Sequence, residues 1–403
     1  MTVPTILVSG AGIAGPALAH WLTEYGFRVI VVELADDIRP GGQTVDLRGA
    51  GREVVQRMGL LDEMTARGLK QEGAAWVRSD GSRRAEMPVT AFHGNGLISK
   101  LEILRGDLVD ALYQATKDRV EYRFGTRIAD LTPNPDAVTV TLTDGTTLTV
   151  DMVVGADGPH SAVRRLVFGP EEQFVEPLGG YHAWFTAPDT VGLDGWYLLY
   201  QAPGVNASMR PSRDPRMAKA GLAFRSEPIE YDRHDLAQQR ALLAERLSGA
   251  GWQCDELLAA AAVAEDFYFD SFAQVRMPTV SRGRVTLVGD AGYCASPLSG
   301  MGTSLALVGA YVLAGELGPA ESKDTDRITG AFERYEALMR PYIASCQHLS
   351  NDLDTYMPPT TSEIAIRTGI MKWMQRWPFR PFAERKWFTT ADAIELPHYT
   401  HTS

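Results

Sequence analysis

The chain has 403 residues, of which 45% are hydrophobic and 22% are charged, and its formal net charge at pH 7 is −11. This length excludes a single small module, and the apolar content excludes disorder over most of the chain. The acidic balance excludes broad binding to nucleic acid or to anionic membranes. Three cysteines are too few for a disulfide framework or a zinc cluster, which predicts a reducing cytoplasm as the location. The eight histidines show no metal-binding spacing, so we predict no metal site.

The N-terminal region is predicted to form a β-α-β unit. Residues 5–8 read as an apolar strand, residues 16–25 as a helix and residues 28–33 as a second apolar strand. Such strands are typical of a parallel sheet that is buried on both faces. The uncharged run 6–22 resembles a signal-peptide core, but no positive charges precede it and glycines interrupt it. We therefore expect neither secretion nor stable membrane anchoring.

The next part of the chain mixes helices and strands. A loop is predicted at Pro40, Gly41 and Gly42, and a hairpin at Asp80-Gly81 within the alternating residues 74–100. Helices are predicted over residues 49–58 and 102–117, and strands over residues 119–124, 138–143 and 146–151.

The character of the sequence changes between residues 172 and 280. Aromatic strands dominate there, followed by a helix near residues 236–249, which indicates an antiparallel sheet with one face covered. A buried apolar strand returns at residues 285–288, and helices follow over residues 302–317, 327–357 and 362–377. We expect the last helix to pack its apolar stripe against its own domain rather than on a membrane surface; the stripe consists of Ile366, Ile370, Met374 and Trp377.

These elements predict an α/β plus α+β fold, in which an antiparallel-sheet domain interrupts a Rossmann-like dinucleotide-binding domain. The dinucleotide-binding domain is expected in three parts, at residues 1–73, 101–171 and 281–340. The antiparallel-sheet domain is expected to take strands from residues 74–100 and its α+β part from residues 172–280. A helical segment is expected over residues 341–403.

A glycine motif lies between the first strand and the first helix. Gly10 permits a tight turn, Gly12 lets backbone N–H groups approach a pyrophosphate, and Gly15 lets the helix pack closely on the strand. The acidic Glu33 ends the next strand about 20 residues further on, and the helix N-terminus adds partial positive charge. Together these features predict a dinucleotide site that includes Gly10, Ala11, Gly12, Ile13, Ala14 and Gly15.

Two further motifs follow predicted buried strands. Asp157-Gly158 lies in the segment 153–164, and Gly289-Asp290 lies in the segment 284–307, ahead of a glycine turn at Gly300. An Asp-Gly pair by itself is only a common turn. The sequence has no second strand-linked glycine motif, so we expect no separate nicotinamide-binding Rossmann domain.

With these three motifs in this order, the chain resembles the single-component (class A) FAD-dependent monooxygenases, the para-hydroxybenzoate hydroxylase-like family. Within that family it is most similar to the compact tetracycline-inactivating monooxygenases, which also carry an arginine that matches Arg105 at the start of a helix. The resemblance covers residues 5–320. It implies that the dinucleotide is FAD and that the antiparallel-sheet domain is the substrate domain.

The resemblance also implies roles for single residues. Glu33 would hold the adenosine ribose, Arg105 would lie on the pyrophosphate side, and Asp290 would bind the ribityl hydroxyls. Asp157 would fix the Asp-Gly loop, and Asp46 would contact the flavin. The remaining implied cofactor-binding residues are Gly289, Pro297, Gly300, Gly302, Thr303 and Ser304. Backbone N–H groups and the helix dipole in this last segment can stabilise negative charge on a reduced flavin.

Four positions near this segment depart from the commoner family pattern. Tyr293 stands where histidine is frequent, Met301 where glutamine is frequent, Ser304 where asparagine is frequent, and Gly309 where aspartate is frequent. We expect these changes to be tolerated, because backbone N–H groups do most of the work at this edge of the flavin.

The activity that the resemblance implies is hydroxylation of an aromatic or polyketide-like small molecule. NAD(P)H would be a transient co-substrate, and O2 would react with the reduced flavin to form a C4a-hydroperoxide. The substrate is expected between the flavin and the middle sheet, lined by His182, Trp184, Tyr200 and Arg210. We assign no catalytic base from the sequence.

Two other functions remain open on the sequence alone. The same FAD motifs serve flavoproteins that reduce or cyclise a substrate without inserting oxygen. The same fold also serves non-enzymes such as the prenyl-GTPase dissociation inhibitors, against which the intact cofactor motifs argue. NADH or NADPH preference, Baeyer–Villiger or epoxidation outcomes, and oligomeric state are likewise open.

Overall fold

The structure is a computed structural model that describes residues 3–39, 41–91, 98–99, 101–320, 324–349, 352–374 and 390–400. Pro40 of the predicted loop, part of the predicted strand region 74–100 and Trp377 of the predicted apolar stripe lie outside these residues.

The strands fall into an early group and a middle group. The early strands are β1 (Thr5–Ser9), β2 (Arg28–Val32), β3 (Thr44–Asp46), β4 (Gly73–Val77), β5 (Arg83–Pro88), β6 (Glu102–Leu104), β7 (Glu121–Arg123), β8 (Ile128–Pro133), β9 (Val138–Leu142), β10 (Thr147–Val150) and β11 (Met152–Gly155). The later strands are β12 (Val175–Pro188), β13 (Trp196–Ala202), β14 (Val205–Pro211), β15 (Met217–Arg225), β16 (Tyr268–Val275), β17 (Ser281–Arg282) and β18 (Val285–Leu287).

The helices cover the sheets and fill the C-terminal part. They are α1 (Ala14–Glu24), α2 (Gly49–Arg57), α3 (Leu61–Ala66), α4 (Arg105–Gln114), α5 (Ala162–Val167), α6 (Leu236–Leu247), α7 (Cys254–Val263), α8 (Asp290–Tyr293), α9 (Gly302–Leu317), α10 (Thr325–Cys346), α11 (Asp352–Tyr356) and α12 (Thr361–Met374).

A six-stranded sheet with the order β17-β18-β11-β1-β2-β7 forms the base of the molecule. All neighbours in it are parallel except the short edge strand β17. The apolar side chains of β1 and β2 are almost completely buried, as expected for parallel strands covered on both faces. α1 packs against β2 and against α9. The carboxyl ends of β1, β2, β11 and β18 therefore meet at one edge of the sheet.

A seven-stranded sheet with the order β16-β12-β15-β14-β13-β4-β5 forms the second layer. It is antiparallel apart from the β4–β13 pair, and the hairpin of β4 and β5 belongs to it. One face packs on α6 and α7 through side chains such as Tyr181, Phe185 and Phe224. The opposite face turns toward the six-stranded sheet and the C-terminal helices. The predicted α/β plus α+β fold class is confirmed.

Residues 102–104 form a strand, whereas the sequence pattern predicted the start of a helix. β6 pairs with β3 and places Glu102 directly opposite Asp46. The backbone of Leu104 is extended, and α4 begins at Arg105. The prediction was wrong here because the pairing partner lies far away in sequence. β8, which pairs with β9 in a small three-stranded sheet, was not predicted at all.

The helix predicted over residues 327–357 is in fact two helices, α10 and α11. At the end of α10, the Gln347 side-chain amide donates to the backbone carbonyls of Val275 (2.7 Å) and Cys294 (3.1 Å). The Gln347 carbonyl accepts a hydrogen bond from Gln274 (3.0 Å). These buried bonds join the end of α10 to β16 and to the loop that follows α8.

The predicted packing of the α12 stripe is wrong. Ile366 and Ile370 are 60% and 50% exposed, whereas Ile364 and Thr368 are buried. α12 packs against β5 and β13 with this second side. Helical periodicity located the helix but not the side that faces the protein, because both sides carry apolar residues.

The described residues contain no helix that is both long enough and apolar enough to cross a membrane. In the same part of the chain, no cluster of three His, Cys, Asp or Glu side chains could hold a metal ion. Cys254, Cys294 and Cys346 are free, buried thiols.

Candidate functional site

The glycine motif forms a tight turn between β1 and α1. Gly10 has φ +105°, and a Cβ atom there would lie 2.5 Å from the carbonyl oxygen of Ala156. A Cβ atom on Gly15 would lie 1.9 Å from the carbonyl oxygen of Gly10. The Gly10 N–H donates to the Val32 carbonyl (2.7 Å). Contacts within the protein itself therefore require glycine at positions 10 and 15.

Gly12 differs from its two neighbouring glycines. Apart from its two chain neighbours, no atom of the described residues lies within 4 Å of the position that its Cβ atom would take. Ile13 precedes α1 without a side-chain cap, and Ala14 is the first residue of that helix. An open space thus adjoins an uncapped helix N-terminus, which is the arrangement that accepts an anionic group.

Glu33 lies next to this turn at the end of β2. Its carboxylate accepts hydrogen bonds from the backbone N–H groups of Ala11 (2.8 Å) and Ala35 (2.9 Å). These two bonds fix the side chain beside the glycine turn. Each carboxylate oxygen keeps a second lone pair, with which it can accept from ribose hydroxyls.

The Asp-Gly loop is held by Asp157 and Arg164. The Asp157 carboxylate accepts from the Ser161 hydroxyl and from the backbone N–H groups of Ala162 and Val163, and so caps α5. Burial raises the pKa of Asp157, which these hydrogen bonds oppose. Arg164 is fully buried and donates to the carbonyl of Ala291 (2.9 Å), so it joins this loop to the Gly289-Asp290 motif.

The Gly289-Asp290 motif packs against the glycine motif between β1 and α1. Gly289 has φ +65°, and a Cβ atom there would lie 3.1 Å from Cβ of Ala14. Asp290 begins α8, and one of its carboxylate oxygens lies 3.9 Å from the Cβ position of Gly302 at the start of α9. Burial raises the pKa of Asp290, and the nearby Cys294 thiol opposes this rise. A polyol bound here would supply the missing donors.

The segment between α8 and α9 turns sharply before α9 begins. Ser296 has φ +72° ahead of Pro297, and Gly300 adopts a left-handed conformation with φ +63°. The Ser299 hydroxyl accepts from the N–H of Met301 (3.1 Å). α9 starts at Gly302 without a side-chain cap, followed by the buried Thr303 and Ser304. Its first N–H groups therefore remain available to a ligand.

Arg105 lies at the start of α4 beside the loop of Gly41 and Gly42. The Arg105 Nε atom is 3.0 Å from the Cβ position of Gly42. Burial and the nearby Arg39 guanidinium lower the pKa of Arg105. Sequence reasoning missed Arg39; no short-range pattern signals that it comes close to Arg105. Two neighbouring cations in an acidic protein favour binding of a phosphate-bearing molecule.

Asp46 forms an ion pair with Arg48 (2.6 Å) and accepts from the N–H of Ser99 (3.2 Å). The backbone carbonyl of Arg48 accepts from the Ser304 hydroxyl (3.5 Å), and Gly51 packs against Ser304. Asp46 is therefore joined through Arg48 and α2 to the start of α9. Sequence reasoning missed its cross-strand neighbour, the fully buried Glu102.

Three of the four predicted substrate-lining residues share one face of the seven-stranded sheet. His182, Trp184 and Arg210 alternate with the side chains that pack on α6 and α7, so they lie on the face toward the six-stranded sheet. Tyr200 lies on the opposite face, where its hydroxyl donates to the Ala250 carbonyl (2.8 Å). The structure does not bring Tyr200 together with the other three.

His182 is buried, and neither ring nitrogen has a hydrogen-bond partner in the described residues. Its ring lies 4.1 Å from that of Trp184 and 4.6 Å from that of Phe272, measured between centroids. Burial lowers the pKa of His182 to about 4, so the ring is neutral at pH 7. Leu298 of the segment before α9 packs with Phe272 and Met357, which brings that segment onto the same face.

The residues at the carboxyl edge thus fit a dinucleotide. Gly12 leaves space at a helix N-terminus, Glu33 offers acceptors at one end, and Asp290 and the start of α9 lie at the other. Arg105 adds positive charge.

Comparison with known proteins identifies this dinucleotide. A family model described as an FAD binding domain matches residues 3–337. A flavin-dependent monooxygenase of Legionella longbeachae is 40% identical over 342 residues, which are 85% of this chain and 86% of that protein. The chain belongs to the class A FAD-dependent monooxygenases.

Two further comparisons show that the likeness to known proteins extends over most of the chain. An uncharacterized protein of Mycobacterium tuberculosis is 43% identical over 349 residues, which are 86% of this chain and 93% of that protein. The crystal structure of tetracycline destructase Tet(55) has a TM-score of 0.82 and 36% identity, covering 98% of this chain and 99% of that chain.

Tyr293 and Gly309 of this monooxygenase are sterically coupled. The Tyr293 hydroxyl lies 2.0 Å from the position that a Cβ atom on Gly309 would take. The same hydroxyl hydrogen-bonds to that of Tyr335 (2.8 Å), and both are buried. Tyr293 therefore fills the volume that a side chain at position 309 would need.

A charged network joins the Asp-Gly loop of the monooxygenase to β16. His160 bridges two carboxylates, with Nδ1 3.0 Å from Glu171 and Nε2 2.9 Å from Asp270. Burial would lower the pKa of His160, but the bonds to Asp270 and Glu171 raise it to about 9. The imidazolium donates from both nitrogens, which a neutral ring cannot do.

The first prediction separates the two kinds of glycine. Gly12→Val should fold with near wild-type stability but purify without FAD, because the new side chain enters only the open space. Gly15→Val should fail to fold or lose several kcal/mol, because its Cβ would meet the Gly10 carbonyl. Flavin absorbance per chain and thermal unfolding measure both effects. A Gly12→Val protein with one FAD per chain would contradict the assignment.

The second prediction tests the coupling of Tyr293 and Gly309. Gly309→Ala should destabilise the protein by about 1–3 kcal/mol through overpacking. In a Tyr293→Phe background the same change should cost clearly less, because the clashing hydroxyl is gone. Urea unfolding of the four proteins in this double-mutant cycle gives the coupling free energy. Strict additivity of the two changes is the opposing result.

The third prediction concerns pH. Because the pKa of His160 is raised from 6.5 to about 9, its contribution to stability is complete below pH 6.5 and is lost as the pH rises through 9. The destabilisation by His160→Gln should therefore be large at pH 6.5 and small at pH 9.5, as measured by urea unfolding. His234→Gln, at an exposed position, is the control. A pH-independent difference would refute the charged bridge.

Proposed function

We propose that this FAD-dependent monooxygenase uses NAD(P)H and O2 to hydroxylate an aromatic or polyketide-like small molecule. The observation that supports this best is the position of the FAD-binding segment before α9. Leu298 in that segment packs on the aromatic face that carries Phe272 and, beside it, His182. A flat apolar substrate would fit between this face and the flavin.

The solved neighbour Tet(55) is named a tetracycline destructase, and the Legionella relative is named a flavin-dependent monooxygenase. The first name supports a substrate with several fused rings, and the second supports an oxygenating reaction. The apolar side chains of α11 and α12 lie over the same face and would help to exclude water from a bound substrate.

FAD, when bound, supplies the redox and oxygen-activating chemistry. The chain's own groups bind and orient it. The first N–H groups of α9 and the dipole of that helix stabilise negative charge that develops beside Gly302 and Thr303. His182, neutral and without a hydrogen-bond partner among the described residues, is available to accept from or donate to a substrate hydroxyl.

NAD(P)H is proposed as a transient co-substrate. With FAD at the glycine turn between β1 and α1, NAD(P)H would have to approach the flavin by another route. The sequence has no second strand-linked glycine motif that would hold NAD(P)H, which supports transient binding.

The fourth prediction tests the proposal with isotopes. Candidate aromatic and polyketide-like compounds are supplied with NADH or NADPH under labelled O2, and products are analysed by mass spectrometry. A true substrate should accelerate flavin reduction and yield a product that gains one oxygen atom, about sixteen mass units before labelling, with the label incorporated.

The flavin-free Gly12→Val protein is the negative control for this reaction. A product that is reduced or cyclised without label would contradict the proposal and favour a non-oxygenating flavoprotein oxidoreductase instead.

A further inference from the structure

Helix α12 exposes apolar side chains along one side. Ile366, Ile370 and Trp373 follow each other at helical spacing and are 60%, 50% and 57% exposed. Ala365 and Gly369 lie beside them and are also exposed. These positions share one side of the helix, because residues three and four apart in a helix lie one above the other. We call these five residues the outer face of α12.

The opposite side of α12 attaches the helix to the protein. Ile364 and Thr368 are buried, and Met371 packs on the apolar cluster that contains Trp76 and Tyr197 of the seven-stranded sheet. The outer face therefore points away from that sheet. Because α12 is attached through its other side, polar substitutions on the outer face should leave the fold intact.

A contiguous apolar patch of this kind differs from the rest of the described surface. In the described residues, every other large apolar side chain that is exposed stands alone on its element or loop, as do Leu166 on α5 and Val263 on α7. Single exposed apolar residues are common on soluble proteins, whereas contiguous ones mark a surface that binds an apolar partner.

The charge near the outer face is opposite in sign to that of the whole chain. Lys372 is exposed on one flank, and Arg367 on the other flank donates to the Thr355 hydroxyl (2.9 Å). In the sequence, residues 361–389 contain six lysines and arginines and two glutamates, whereas the whole chain has a net charge of −11. The same stretch contains three of the eight tryptophans.

We propose that the outer face of α12 is a docking surface for a bilayer that contains anionic lipids. Exposed apolar side chains together with tryptophan and cations are typical of a helix that lies in a membrane interface. The apolar side chains would enter the boundary between headgroups and acyl chains, and Lys372 would meet anionic headgroups. The acidic remainder of the chain is repelled by the same bilayer, so the binding is oriented and reversible.

A second copy of the chain fits this surface less well. α12 has 14 residues. It is therefore about 21 Å long, and its outer face offers on the order of 250 Å². A stable dimer buries about 800 Å² on each partner. Two copies in contact through this face would also bring their Lys372 side chains together.

The fifth prediction is measured by co-sedimentation of the FAD-loaded enzyme with large unilamellar vesicles. The enzyme should bind vesicles made of equal parts phosphatidylcholine and phosphatidylglycerol about tenfold or more tightly than vesicles of phosphatidylcholine alone. Raising NaCl from about 0.05 M to about 0.5 M should release most of the bound enzyme, because salt screens the attraction to anionic headgroups. No binding at the low salt concentration, or equal binding to both kinds of vesicle, would overturn the proposal.

Two double variants test the apolar part of the surface. Ile366→Ser/Ile370→Ser should weaken vesicle binding by about tenfold or more, because it removes apolar area that the bilayer would bury. Leu236→Ser/Val263→Ser removes two exposed apolar side chains from α6 and α7 and should bind like the wild type. Undiminished binding by the α12 variant, or the same loss in its control, would contradict the proposal.

A second pair of variants tests the charge. Lys372→Glu should weaken binding to the anionic vesicles by about tenfold, because one attraction is lost and one repulsion is added. Lys117→Glu, at an exposed position after α4, changes the net charge equally and should have little effect. Equal effects of the two changes would show that net charge alone governs binding, which refutes the assigned surface.

Flavin content and thermal unfolding of each variant show whether the fold is intact, and light scattering after gel filtration gives the oligomeric state. A wild-type dimer that Ile366→Ser/Ile370→Ser converts to a monomer, without vesicle binding, would assign the outer face to a second copy instead. A loss of thermal stability in that variant, without vesicle binding by the wild type, would assign the face to the fold and likewise overturn the proposal. No substrate or NAD(P)H is added, so the result is independent of the proposed function.

Discussion

At the carboxyl edge of the six-stranded sheet, segments of the chain pack against each other so closely that glycine is needed, and this constraint determines most of the geometry of the site. Gly10 lies against Ala156, Gly15 lies against Gly10, and Gly289 lies against Ala14, each at a distance that a side chain would prevent or strain. The contacts of Gly10 with Ala156 and of Gly289 with Ala14 join segments that are far apart in sequence. Within the first glycine motif, Gly12 faces open space beside an uncapped helix N-terminus, so the motif that packs tightly on the rest of the protein also leaves an opening there.

The seven-stranded sheet contributes apolar and charged side chains to the site, whereas the close backbone contacts come from the six-stranded sheet. Side chains of the seven-stranded sheet alternate, so one face serves the core with α6 and α7 and the other faces the flavin side. Charged groups of the two layers meet at His160 with Asp270 and at Arg210 with Glu102. Bonds to Asp270 and Glu171 raise the pKa of His160 to about 9, so the first of these bridges depends on the proton that His160 holds.

The sequence predicted the glycine turn and the strands that precede Asp157-Gly158 and Gly289-Asp290, because glycine requirements and strand periodicity are local properties. It could not predict contacts that depend on distant pairing. Residues 102–104 are strand because β3 pairs with them, which also creates the Glu102–Asp46 contact. Tyr200 lies on the other face from Arg210, and only the register of β13 decides this. Ser296 adopts a positive φ without any glycine to signal it. The roles assigned to single cofactor-binding residues remain predictions.

Neighbouring strands of the six-stranded sheet come from distant parts of the chain, and this determines when FAD can first bind during synthesis. β1, β2 and α1 are made early, but the contact of Gly289 with Ala14 joins residues about 275 positions apart. At ribosomal rates of roughly 5–20 residues per second, the glycine turn waits about 14 to 55 seconds for the segment that completes its binding site. A nascent chain therefore exposes the edge of β11 until β18 arrives. Stable binding of FAD therefore waits for the segment that carries Gly289.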